Sequence, residues 1–309
     1  MAVSLARQLG GILLVVWGAA TAGFIALKSI PGDPVDIMLG VQSNVSDDVK
    51  NKLRTEWGLD EPPLVQYALY IGRLATGDLG TSYQLRQPVI DVIGEQLGST
   101  LALTGLAIVF ALVFTAVGAL LFRGRVTTRV ASTLELIVVS APTFWTSLLL
   151  LAMFTLWLGW FPLAASRGLP ALVLPALALA LPVAGVLSQL LRQGLDAAER
   201  EPFALTARAR GIGRTRLLTH HTVRHASADT ITLAGYIVGS LLGGAVLVET
   251  VFARPGIGRV TLRAIIDRDL PVVLGIIVFT ALVFAVIAVV VDGVSARIDP
   301  RLRAVNGVS

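Results

Sequence analysis

The sequence predicts an all-α polytopic membrane protein with six transmembrane helices. Three observations lead there. Of 309 residues 55% are hydrophobic and only 15% charged; the mean hydropathy is +0.78; and six stretches approach the roughly 20 apolar residues needed to cross a hydrocarbon layer of about 30 Å. A soluble domain of this length carries far more charge. The absence of cysteine excludes disulfides, thiolate metal sites and cysteine nucleophiles.

The first span is expected over residues 9–27 and the second over 101–122, both free of charge. The third, 134–158, carries Glu135 near its start and Pro142 inside. The fourth, 169–191, holds Pro175 and Pro182, so both are expected to kink. The fifth, 233–252, contains the run SLLGGA, whose small residues permit close helix contact; the sixth, 272–291, stops at Asp292. Ala20-Thr21-Ala22 resembles a signal-peptide cleavage site. The apolar stretch before it is nevertheless long enough to span, and five more follow, so it reads as an uncleaved first helix.

Orientation follows from arginine near the helix ends. A net charge of +5 would also suit a nucleic-acid binder, but in so apolar a chain arginine retained on the cytoplasmic side is the ordinary source, and no nucleic-acid partner is expected. Arg123, Arg125 and Arg129 crowd the second connection. The fourth adds Arg192, Arg200, Arg208, Arg210, Arg214, Arg216 and Arg224, and the tail adds Arg297, Arg301 and Arg303. With Arg7 these place both termini in the cytoplasm. Residues 28–100 hold more acids than bases and belong outside. The fifth connection resists this scheme, since Arg254, Arg259, Arg263 and Arg268 outweigh Asp267 and Asp269 on a side where the helix count puts them outside.

The chain therefore divides into a tail and first span (1–28), an extracytoplasmic helical segment (29–100) and a core of five spans (101–309) with a cytoplasmic segment at 196–226. In the outer segment Ser46 before Asp47 and Asp48 reads as a helix N-cap, Gly58 as that helix's end, and LVQYALYIGRLA as a second helix before the turn GDLG. A small folded domain and two helices lying at the membrane interface are both open readings.

Most chemistries are excluded. A P-loop needs a lysine after its glycines, and Lys28, Lys50 and Lys52 have no such glycines before them. His220, His221 and His225 lack the carboxylate or cysteine that would complete a metal set, so no metal site is expected. Gly211-Ile212-Gly213 and Gly256-Ile257-Gly258 read as turns, since no strand precedes either. Glu135 and Glu249 are acids near span ends and count as pathway candidates, with Ser240, Gly243 and Gly244 of the fifth span.

Residues 206–221, TARARGIGRTRLLTHH, stand apart. Glu201-Pro202 can open a short helix running to Arg210, with Gly211 placed to cap it, and a second helix is expected from Arg214 to about His225. Arg208 and Arg210 then complement the helix dipole. One reading is a basic loop resting on anionic lipid. The other is a docking element for a soluble partner, with small Ala204, Ala207 and Ala209 permitting close approach.

At these residues the chain resembles the inner-membrane permease subunit, the first of the pair, of bacterial ABC importers for di- and oligopeptides. That family also includes nickel and glutathione permeases. Thr206-Ala207-Arg208-Ala209-Arg210-Gly211 resembles the family's cytoplasmic motif for engaging its ATPase. IPGDPVDIMLG (30–40), GLDEPPLVQY (58–67), GDLGTSY (77–83), Ser140-Ala141-Pro142-Thr143-Phe144-Trp145, VETVFARPGIGR (248–259), RDLPVV (268–273) and DPRLR (299–303) resemble further family segments, in order. One departure is Asp229, where that branch commonly has proline, which implies a less kinked exit from the motif.

The resemblance implies the MetI-like fold of type I importer permeases in a bacterial plasma membrane. It also implies a second, homologous permease, two ABC ATPase subunits and an extracytoplasmic solute-binding protein as partners, within membrane lipid. This chain would not be catalytic and would hold no cofactor, ATP and Mg being bound by the ATPases. Phe203, Ala204, Thr206, Ala207, Arg208, Ala209, Arg210 and Gly211 would couple to them. Peptide is the expected cargo, with nickel chelate, glutathione or heme as alternatives. From another class, a self-contained channel or secondary carrier would use the arginines for orientation alone; an intramembrane enzyme lacks any catalytic set.

Overall fold

The computed structural model describes residues 2–39, 45–121, 125–162, 168–217 and 222–298. Among them the only non-helical pairing is an isolated bridge between Thr81 and Pro88. The six expected spans correspond to α1 (Ala2–Ser29), α5 (Val89–Leu121), the pair α6 (Arg125–Ser140) and α7 (Thr143–Leu150), α8 (Pro170–Ala198), α11 (Val223–Val251) and α13 (Leu270–Ile298). Four of these are long and apolar enough to cross a membrane as single helices, and the α6–α7 pair qualifies when counted as one bent span. In α11 the apolar section is Leu241–Val251.

The third span departs most from a simple rod. Its halves meet at 104°, where Ser140-Ala141 leads into Pro142, the N-cap of α7. Proline cannot continue the i→i−4 ladder, so the break falls where the sequence places it. Beyond α7 the chain widens into a π-helical stretch, Leu151–Trp157, closed by Phe154 against Trp160 and Phe161 at 5.7 and 6.4 Å. In contrast α8 passes through Pro175 and Pro182 as one helix.

The chain forms two compact units. The first comprises Met1–Ser4, Ser99–Arg254 and Val286–Ser309. Its core interleaves Leu103, Ala107 and Ala111 of α5 with Ala176, Ala180 and Ala184 of α8 and Leu241, Ala245 and Val248 of α11. The spacing of three and four residues lines one stripe on each helix, and the alanines allow the close approach on which helix association in lipid depends. The second unit comprises Leu5–Gly98 and Pro255–Ala285. It is centred on Val89, Val92 and Ile93 of α5, Ile257 and Ala264 of α12 (Ile257–Ile266), and Val272, Val273 and Ile276 of α13.

The outer segment contributes α2 (Pro34–Leu39), α3 (Asp47–Glu56) and α4 (Pro63–Ala75) to this second unit. Gly58 and Gly77 end α3 and α4 in left-handed conformation (φ 65° and 81°). Ser46 is the N-cap of α3, yet its hydroxyl makes no capping bond. Neither α3 nor α4 has a buried residue, so the pair has no core of its own. Both are tied to neighbours: Arg54 pairs with Asp33 at 2.7 Å and Lys50 with Asp36 at 2.9 Å, while Tyr67 of α4 shares a 2.7 Å hydrogen bond with Thr21 of α1.

Candidate functional site

The basic segment folds as a small closed unit of α9 (Pro202–Ala209) and α10 (Arg214–Leu217). The end of α9 is a complete glycine cap. The Gly211 amide donates to the Arg208 carbonyl at 2.9 Å and the Ile212 amide to that of Ala207 at 3.1 Å, with Gly211 at φ 77°. That is the double bond pattern of a left-handed C-terminal cap, in which the following apolar residue folds back on the last turn. Ile212 does so, joining Phe203 against buried Ala204, Ala207 and Leu217.

The small residues thus do a different job from the one the sequence suggests. Ala204 and Ala207 face inward, where larger side chains would separate α9 from α10; only Ala209 of the three is exposed, beside exposed Thr206, Arg208, Arg210 and Gly211. Thr206 bonds back to the Pro202 carbonyl at 3.0 Å, and Arg208 lies 3.7 Å from Glu199. What the unit presents outward is its basic, glycine-capped end. Of the second helix expected from Arg214 to about His225, Arg214–Leu217 is helical, residues 218–221 lie outside the described residues, and α11 is described from Val223, running unbroken past Asp229. His220, His221, the side chain of His225, and DPRLR at 299–303 lie outside the described residues.

The pathway candidates separate. Glu135 is gripped by Arg192 of α8, whose NH1 donates to Oε1 at 2.9 Å while NH2 reaches Oε2 and, at 3.2 Å, Ser132. Both side chains are about nine-tenths buried. A carboxylate held this way is neutralised by its partner and offers no open charge to cargo. Glu249 is fully buried and accepts a 2.7 Å bond from Thr100. Gly244 lies against Leu179, where a Cβ would come within 3.1 Å, whereas Gly243 faces open space. Ser240 lies on α11, but its side chain is outside those described. Glu135, Glu249, Gly243 and Gly244 thus sit in different surroundings within this chain.

A second site, which the sequence does not single out, gathers three of the family-resembling segments around Arg268 and Asp269. Buried Asp269 accepts from Ser82 Oγ at 2.5 Å, the Tyr83 amide at 3.1 Å and the Gln84 amide at 3.2 Å. Its neighbour Arg268 donates to the carbonyls of Ile30 and Pro31 at 3.4 and 2.9 Å. GDLGTSY, RDLPVV and the start of IPGDPVDIMLG thus meet. Two of the four arginines of the fifth connection are engaged within the protein: Arg268 with carbonyls at the end of α1, and Arg254 with the Ala171 carbonyl at the start of α8 at 3.2 Å. The signal available in the sequence was an aspartate directly before an apolar helix, an N-cap position. Beside it, Tyr83 stacks on Trp57 with ring centroids 4.1 Å apart, and burial pushes its hydroxyl pKa up to about 12.

Among the described residues no group of His, Cys, Asp or Glu could hold a metal ion. The described residues form an arrangement of helices, hydrogen-bonded tethers and an exposed basic end of α9.

Known proteins agree with that character. Residues 104–304 match the family described as binding-protein-dependent transport system inner membrane component. A protein of Brucella abortus (strain 2308), provisionally named a peptide transport system permease protein, is 36% identical over 94% of this chain and 95% of its own length. The glutathione transport system permease protein GsiC of Salmonella choleraesuis (strain SC-B67) is 33% identical over 96% and 97%. A crystal structure of an amino acid ABC transporter aligns with TM-score 0.51 over 69% of this chain and 94% of that one, at 18% identity, a likeness of fold. With near full-length relatives at 33–36% identity and a family match over residues 104–304, the chain belongs to the binding-protein-dependent transport system inner membrane components, the permeases of ABC importers.

Proposed function

We propose that this chain is the first of two permease subunits in an ATP-driven importer of di- or oligopeptides, working with two cytoplasmic ATPase subunits and an external solute-binding protein. The observation that carries the coupling role is the closed α9–α10 unit with its exposed end at Arg208, Ala209, Arg210 and Gly211. A rigid knuckle sealed by its own apolar contacts can transmit a push without deforming. Closure of the ATPase pair on ATP would press on this unit, and the helices would swing as rigid bodies between outward-open and inward-open states. ATP and Mg belong to the ATPases, and this subunit performs no chemistry itself.

Peptide cargo is supported by the name of the Brucella relative, and glutathione, itself a peptide, by that of the Salmonella protein. Nickel chelate or heme remains the alternative. Both termini are assigned to the cytoplasm by Arg7 and the arginines of the second and fourth connections. Residues 29–100 then face outward with their excess of acids as a docking surface for the binding protein, and deleting 46–75 should weaken that association.

The test is co-purification of the tagged chain with the ATPase encoded beside it. Wild type should retain the ATPase. Gly211→Pro, which cannot adopt φ 77°, and Arg210→Glu, which reverses the exposed end without touching the core, should both lose it. Retention by Arg210→Glu, or no ATPase with wild type, overturns the coupling assignment and leaves the lipid-facing loop of a self-sufficient carrier.

A further inference from the structure

Helix α4 meets α1 well below the end of the span. The Thr21–Tyr67 hydrogen bond lies eight residues before Ser29, the last residue of α1, which at about 1.5 Å per residue is roughly 12 Å along the axis. Phe24 stacks on Tyr70 at 6.0 Å and meets Tyr67 edge-on at 5.4 Å, so the register is fixed by three contacts. Residues 8–29 of α1 form a membrane span about 33 Å long. On that scale the start of α4 sits within the hydrocarbon, not above the headgroups.

The bare aliphatic side chains of α4 agree. Leu64 is 82% exposed, Leu69 56% and Val65 41%. Such a row of bare aliphatic side chains in water would be an association hazard, but at this depth it faces acyl chains. Between α1 and α4 runs a groove of about 420 Å³ lined by Phe24, Ile25, Pro63, Leu64 and Tyr67. Its polar groups are engaged within the protein: Thr21 with the Trp17 carbonyl and Tyr67, Ser29 with the Ile25 carbonyl. The exception is Lys28, in the last turn of α1, which lines the groove. Among the described residues no carboxylate pairs with it.

The geometry points to a phospholipid site: one acyl chain lies in the α1–α4 groove and its headgroup phosphate rests on the Lys28 ammonium. The chemistry fits at both ends, a largely apolar groove that includes a cation in the last turn of the span, where lysine stems normally extend toward phosphate. Helix α4 is thereby held in the leaflet at which α1 ends, which favours the interfacial reading for this helix. The assignment rests on α1 being a membrane span and is independent of the cargo and of ATPase coupling.

Two measurements test it, and the cysteine-free chain makes both clean. Spin labels on Leu64→Cys, Leu69→Cys and Lys52→Cys, in full-length protein reconstituted in phosphatidylglycerol–phosphatidylethanolamine nanodiscs, should report oxygen access at 64 and 69 and aqueous paramagnet access at 52. A water-exposed label at 64 overturns the site. Native mass spectrometry of the chain in mild detergent should then show a retained phosphatidylglycerol that Lys28→Gln loses at least fivefold and Lys28→Arg keeps. Equal retention by Lys28→Gln, or displacement by inorganic phosphate alone, overturns the headgroup contact.

Discussion

Ser82 and Asp269, 187 residues apart in sequence, are joined by a buried 2.5 Å hydrogen bond. The Tyr83 and Gln84 amides complete the carboxylate's set. Removing the acceptor leaves three donors without a partner, and each buried unsatisfied group costs about 1–3 kcal/mol. Asp269→Ala should therefore destabilise the second unit by about 3 kcal/mol, and Asp269→Asn, which keeps one acceptor oxygen, by roughly half of that. Trypsin reports it locally, because exposed Arg86 lies in the loop that this bond holds. Faster cleavage at Arg86 is the expected result, and unchanged cleavage in Asp269→Ala would show that the carboxylate does not hold the loop.

The Arg192–Glu135 pair makes a second quantitative case. Breaking a buried pair from one side strands a charge and costs about 3–5 kcal/mol, while replacing both by apolar residues of similar volume is often neutral. Glu135→Leu and Arg192→Met should each lower the detergent-solubilised chain's thermal midpoint substantially, and the double variant should recover most of the loss. Additive losses would mean that the two side chains act separately.

These two relationships also mark what sequence alone could reach. The ends of α3, α4 and α9 were legible because Gly58, Gly77 and Gly211 act locally: a residue that tolerates positive φ must follow the last turn. The apolar spans were legible by length. The inward turn of Ala204 and Ala207 was not, since an alanine at helical spacing fits a sealed seam and an exposed docking face equally well. Asp269 was counted only as a charge because its partners lie almost two hundred residues away. The Glu135–Arg192 pair was within reach: consecutive spans run antiparallel, so a charge at the start of the third and one at the end of the fourth lie at the same level.

Three helix ends with the same cap differ in the residue at the left-handed position: Gly211 (φ 77°), Ala253 (φ 48°) and Arg268 (φ 56°). A Cβ at such a position costs about 1 kcal/mol. Gly211→Ala should raise local amide exchange at Gly211 and Ile212 about fivefold, the factor that 1 kcal/mol represents. Ala253→Gly should change little, since relief of the same strain is offset by the greater freedom of glycine in the unfolded chain.

Tyr83 predicts an alkaline limit for the outer unit. Burial raises its folded pKa to about 12, with the Asp269 charge adding in the same direction and Arg73 opposing, against about 10 unfolded. Above pH 10 the unfolded chain releases this proton while the folded one keeps it, so stability is whole below about pH 10 and falls as pH climbs toward 12. Tyr83→Phe removes the titration. A pH series of thermal midpoints should show wild type declining over that window more steeply than Tyr83→Phe, and parallel curves would assign the decline elsewhere.

Gly185 sits where α8 passes α6, and an added Cβ would lie 2.6 Å from Val139 Cγ2 and 3.3 Å from the Glu135 carbonyl oxygen. The two obstacles differ in kind. Valine is stiff at χ1 but can be trimmed; a carbonyl yields only if α6 itself moves, and with it the carboxylate that Arg192 holds two turns along α8. Gly185→Ala should accordingly cost about 1–3 kcal/mol, the usual range for overpacking. Adding Val139→Ala should return part of this but not all, because the carbonyl remains. Double-variant recovery to wild-type stability would reduce the close approach to a side-chain matter. Partial recovery, combined with a smaller penalty for Arg192→Met in the Gly185→Ala background, would show that the helix separation set by one missing methyl keeps the buried ion pair in register.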